Sequence, residues 1–127
     1  MTRVIIDGPD VPKPLGPYSP GVMVGDLLFS AGQIGVDASG VLVTGGAVAE
    51  FEQAVTNLKT VLRAADLDLA DVVKVTLFLV DLDAGAAINV RYAACFSQPY
   101  PARSTVQVAG LPAGAQIEIE AVARRPT

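Results

Sequence analysis

Val72-Val73-Lys74-Val75-Thr76-Leu77-Phe78-Leu79-Val80 is apolar at all but two positions and rich in β-branched residues. A run of this length and composition reads as a strand buried on both faces. By alternation Val73, Val75, Leu77 and Leu79 form one face, and Val72, Thr76, Phe78 and Val80 the other. Lys74, its one cation, snorkels near the strand end. Outward from this strand lie two helical patterns. From Ala47 to Ala65 the residues Val48, Phe51, Val55, Leu58 and Leu62 fall on one apolar stripe, with Glu50, Gln53, Thr56, Asn57 and Lys59 on other faces. From 83 to 96 the residues Ile88, Tyr92, Cys95 and Phe96 cluster on one side, and Pro99 and Pro101 end the helix.

The flanks are β-like. Val22-Met23-Val24 and Leu27-Leu28-Phe29-Ser30 are joined by Gly25-Asp26, a two-residue hairpin turn. Two strands close the chain, 104–109 and 115–123. Strands, helix, strand, helix and two strands make one α+β domain over residues 1–127. Its mixed sheet has about six strands, with both helices packed on one face. Two helices cover only one face of the central strand, so the second apolar face predicts self-association into a closed ring.

Composition narrows the chemistry. The chain has no histidine and a single cysteine, Cys95. That excludes imidazole bases, Ser-His triads, internal disulfides and the usual His- or Cys-ligated metal sites. An all-carboxylate metal site is left open, although the acidic residues are mostly scattered. The N-terminal apolar run is broken by Asp7, Gly8 and Pro9, and no 18-residue apolar stretch exists. The expectation is therefore a protein without signal peptide or membrane span, in a reducing cytoplasm. Net charge is −4 and the cations are dispersed, so no basic stripe marks a nucleic-acid surface.

Between Val11 and Pro20 four prolines and Gly16 impose an extended surface loop. Tyr18, in its middle, either covers its own core or lines a pocket, and the core is the more economical reading. Gly32, at a strand end, marks a chain bend or lets a backbone N–H approach a ligand. In the last two strands Arg103, Thr105 and Gln107 share one face, opposite Val106 and Val108. On the other strand Ile117, Ile119 and Ala121 point inward, and Glu118, Glu120 and Val122 point away. The plain alternative is a pair of solvent-facing rows joined by a surface salt bridge.

Pro101-Ala102-Arg103-Ser104-Thr105-Val106-Gln107-Val108, Leu111-Pro112 and 117–123 resemble the C-terminal signature of the RidA (YjgF) family of reactive intermediate deaminases. Gly16-Pro17-Tyr18-Ser19, Ala31-Gly32-Gln33-Ile34, the 71–76 segment and the Asn89, Tyr92, Phe96 spacing resemble further family motifs, in the family's order. The resemblance implies a chorismate-mutase-like sandwich, a homotrimer with sites at subunit clefts, and a cofactor-free, metal-free enzyme. It implies hydrolysis of short 2-imino acids, such as 2-aminoacrylate and 2-iminobutanoate, to 2-keto acids and ammonia. Arg103 matches the arginine that grips the substrate carboxylate, and Glu120 the glutamate that positions or activates water. Gly32 and Thr105 match backbone N–H donors to the ligand, and Tyr18 and Asn89 match pocket-lining positions.

Three departures bear on substrate range. Thr105 stands where the best-known members have cysteine, Ala31 where many have serine, and Pro20 where glutamine is common. Two other functions compete: a non-catalytic trimer that binds keto acids or docks a partner, and an RNA-cleaving protein, an activity ascribed to some members. The missing histidine and the acidic balance weigh against the second.

Overall fold

β7 (Ile117–Arg124) is the keel of the sheet, because three other strands pair with it. The structure, a computed structural model, describes residues 2–127. The remaining elements are β1 (Arg3–Ile6), β2 (Gly21–Val24), β3 (Leu27–Ser30), β4 (Gln33–Ile34), α1 (Ala47–Ala64), β5 (Val72–Leu79), α2 (Gly85–Cys95) and β6 (Ala102–Gln107). The seven-stranded sheet runs β1-β2-β3-β7-β5-β6, with β4 also paired to β7. Only β5 and β6 are parallel, and α2 makes the crossover between them. β4 and β5 are both antiparallel to β7, so α1 carries the chain across that strand from one to the other.

The sequence expectation of a mixed sheet under two helices holds, and β1 and the two-residue β4 are strands the sequence did not mark. Four residues long and mostly exposed, Arg3–Ile6 lacks the alternation that marks a strand in sequence. The Gly25-Asp26 hairpin is present, and Gly25 has φ 60°, which a glycine adopts without steric cost. α1 ends in a left-handed Asp66 (φ 59°). There the Leu67 N–H donates to the Leu62 carbonyl and the Asp66 N–H to that of Arg63, closing the helix.

Phe51, Leu58 and Leu62 of α1 are fully buried against Leu28, Leu77, Ile117 and Ile119 of the sheet. Each such side chain contributes roughly 1.5–3 kcal/mol by leaving water. Two residues assigned to other faces of α1 belong inside instead. Glu50 is only 2% exposed, and its Oε1 accepts the Gln116 N–H at 2.8 Å. Asn57 donates to the carbonyls of Ile34 and Val36 at 3.0 and 2.9 Å. Both tie the helix to strand ends, which is why the sequence could place polar groups there without loss.

β5 corrects the alternation. A bulge between Val72 and Lys74 puts Val72, not Val73, beside Val75, Leu77 and Leu79 in the core. Val73 is 47% exposed. Nor is the strand buried on both faces, since Lys74, Thr76 and Phe78 on the far side are half-buried. That far side of the sheet carries Ile5, Phe29, Phe78, Val106 and Val122 with no helix over them. Among the described residues no helix is long and apolar enough to cross a membrane.

Candidate active site

Arg103 pairs with Val75 in the parallel ladder, so its side chain rises on the helix-covered face of the edge strand β6. There the guanidinium carbon lies 4.6 Å from the centroid of the Tyr92 ring. Tyr92, on α2, stacks on Phe96 with centroids 4.4 Å apart and is tilted against Phe51 at 6.3 Å. Burial pushes the Tyr92 hydroxyl above the usual tyrosine pKa, and the nearby Arg103 charge partly offsets this. Asn89, one helical turn before Tyr92, joins Ala93, Tyr100 and Pro101 in lining a cleft of about 260 Å³ around the guanidinium. Thr105 lies two residues further on the same face, and its Oγ1 is buried without a hydrogen-bond partner. The surface salt bridge of the plain alternative does not form at Arg103. Among the described residues the ion pairs are Arg91–Glu52 and Arg124–Asp26, leaving the Arg103 guanidinium free of carboxylates.

Glu120 pairs with Thr76 and Glu118 with Phe78, which puts both carboxylates on the open face of the sheet. Within one chain, therefore, Arg103 and Glu120 stand on opposite faces. Glu120 is exposed, whereas Glu118 is half-buried against Gly32. A Cβ at Gly32 would sit 2.6 Å from the Glu118 carboxyl carbon, so any larger residue there would push the Glu118 side chain out of its present place. Desolvation holds the Glu118 carboxyl above the usual glutamate range, and the Glu120 charge two residues away pushes the same way.

Gly32 also borders a second, wider hollow of about 570 Å³ between the 9–20 loop, the turn at 36–40 and α1. Tyr18 lines this hollow. It is 49% exposed and its hydroxyl accepts the Leu15 N–H at 3.0 Å, so the core assignment for Tyr18 is overturned. Prolines on either side hold the ring out on a stiff loop instead of letting it fold inward. The candidate residues thus form two groups. Arg103 and Asn89 line the helix-side cleft, with Thr105 on the same face, while Glu120, Gly32 and Tyr18 border the open face or the second hollow. Sequence reasoning passed over Tyr92 as a spacing match only and missed Tyr100. The i, i+3 relation of Asn89 to Tyr92 was the signal that both reach one spot.

A model of the endoribonuclease L-PSP family matches residues 9–125. The chain belongs to that family, the RidA (YjgF) family of the sequence motifs. Among RidA relatives, the 2-iminobutanoate/2-iminopropanoate deaminase of Capra hircus is 44% identical over 124 residues, covering 97% of this chain and 90% of the relative. The Homo sapiens protein of the same name is 43% identical over the same shares. A RidA-like solved structure, yeast YEO7, superposes with a TM-score of 0.94 at 38% identity, spanning 98% of this chain and all of that one.

Proposed function

We propose that this protein hydrolyses short 2-imino acids to 2-keto acids and ammonia, at sites shared between the subunits of a homotrimer. The observation that carries this reading is the unpaired Arg103 guanidinium in its small cleft. Among the described residues no carboxylate pairs with it, and such a planar fork matches a substrate carboxylate bidentately. The cleft falls just below the roughly 300–1,000 Å³ of drug-sized ligand pockets, which favours a small acid. Relatives named for 2-iminobutanoate and 2-iminopropanoate deamination align with nearly the whole chain and support the substrate class.

The chemistry asks little of the protein. A protonated imine carbon is already electrophilic, so neither metal nor covalent nucleophile is required. With Arg103 holding the carboxylate, water adds to C2 while Glu120 of a neighbouring subunit accepts a proton. Glu120 then returns that proton to the nitrogen of the carbinolamine, the C–N bond breaks to release ammonia, and the C2 hydroxyl gives its proton to the departing ammonia or to water as the C=O of the keto acid forms. General-base help of this kind contributes about 10²–10⁴-fold. Because Arg103 and Glu120 face opposite sides of one sheet, they can share a cavity only if the β6 edge of one copy meets the open face of another. A cytoplasmic setting goes with this reading, since the lone Cys95 gives no internal disulfide.

The test is keto acid release from 2-aminoacrylate or 2-iminobutanoate generated in situ. Arg103→Ala should lose about 1.5–3 kcal/mol of substrate interaction, roughly 10- to 150-fold in kcat/KM. Trimers assembled from equal amounts of Arg103→Ala and Glu120→Gln chains should regain about one quarter of the sites, each with both groups intact. Equal rates for wild type and Arg103→Ala would sink the assignment, and no recovery on mixing would sink the shared site. The exposure of Glu120 away from Arg103 within a chain also fits a keto-acid-binding module without turnover. Binding of 2-ketobutyrate with no acceleration of imine loss would favour that version. Undetectable RNA binding at low ionic strength, expected from the net charge of −4, would dispose of RNA cleavage.

A further inference from the structure

We propose that Tyr92 is the positioning residue for Arg103, a buried aromatic shelf that fixes the guanidinium while leaving its N–H donors free for an acid ligand. This rests on the reading of Arg103 as a carboxylate grip. An arginine on an exposed edge strand has a long, mobile stem, and a grip is only as good as the fixing of its head. The common device is a carboxylate partner, but that partner would consume the donors the substrate needs. Here no carboxylate does so among the described residues, and the fixed neighbour is a ring face 4.6 Å away. A ring holds the cation through its negative face and takes none of its hydrogen bonds.

The shelf is itself immobile. Tyr92 is 6% exposed and clamped between Phe96, stacked at 4.4 Å, and Phe51. Its hydroxyl is buried with no hydrogen-bond partner, so the hydroxyl is not what holds the ring in place. The ring alone carries the role, and phenylalanine should fill it. Asn89 and Ala93, on the same helix, line the same cleft as this ring and Arg103, so the shelf is part of the wall that an acid gripped by Arg103 would face.

Titration of the assembled protein with 2-ketobutyrate by calorimetry tests this without relying on turnover. Tyr92→Leu should weaken binding about five- to thirtyfold, and the conservative Tyr92→Phe should rescue it to within about threefold. In assays of imine hydrolysis the loss should fall on KM more than on kcat, as removal of a grip used in both ground and transition states requires. Adding Tyr92→Leu to Arg103→Ala should weaken binding no further, because the shelf then has nothing to hold. If Tyr92→Leu binds like wild type, if Tyr92→Phe loses as much as Tyr92→Leu, or if the loss persists in the Arg103→Ala background, the proposal is overturned. If Tyr92→Leu does not fold, Tyr92→Met, closer in volume, takes its place under the same criteria. Arg103→Ala alone separates the two ideas: unchanged affinity there means Arg103 grips no carboxylate, whereas a loss there with none in Tyr92→Leu defeats only the shelf.

Discussion

Glu118 and Glu120 share one face of β7, yet only Glu118 is pressed against a wall, the bare Cα of Gly32. Its carboxyl is held above the ordinary glutamate pKa by burial first and the Glu120 charge second. The folded chain therefore binds that proton more tightly than the unfolded chain does. The linked stability is full below the unfolded pKa and disappears as pH rises through the folded one. Glu118→Gln, which mimics the protonated form, should accordingly raise the thermal midpoint at pH 7 and lose that advantage below about pH 4. A difference that stays constant across pH would refute this account. Alternation in the sequence put these two carboxylates on one face; it could not tell which of them loses its water, because that depends on a glycine eighty-six positions earlier in the chain.

Gly35 shows how elements are fitted together. A Cβ there would lie 2.7 Å from both the Cα and the carbonyl oxygen of Glu50, backbone atoms that cannot swing aside. Gly35→Ala should cost about 1–3 kcal/mol of unfolding free energy, read as a lower denaturation midpoint with an unchanged m-value. A neutral result would mean α1 can shift off the strand end. The same junction marks the limit of sequence reading. The stripe on α1 was legible because apolar residues at helical spacing have few alternative uses. Glu50 and Asn57 were not, since a buried polar group looks like a surface one until its partners Gln116, Ile34 and Val36 are known. The bulge at Val72 was invisible for a related reason: valines at 72 and 73 suit either face, and only the pairing with β7 chooses. The arginine and the carboxylates were found as types and positions, whereas their placement on opposite faces required the register of β5 against both neighbours.

For the molecule as a whole, the sheet is finished on one side only. Ile5, Phe29, Phe78, Val106 and Val122 lie on the uncovered face, and Lys74 and Ser104 hydrogen-bond across it at 2.8 Å. Apolar area of this kind, beside the unpaired edge of β6, is what a subunit contact buries. Light scattering should give a mass about three times the 13.1 kDa of the chain. Val106→Asp, at a position 41% exposed in the single chain, should leave the fold intact and yield smaller species. A monomeric parent would end the shared-site reading. The placement of Arg103 and Glu120 back to back across a single layer of backbone has one more consequence. On the shared-site proposal a solitary folded chain is a tool with its two jaws facing apart, and every working centre is made at the moment two chains touch. Abundance then sets activity more steeply than in proportion, so that scarce protein is nearly silent even when all of it is folded.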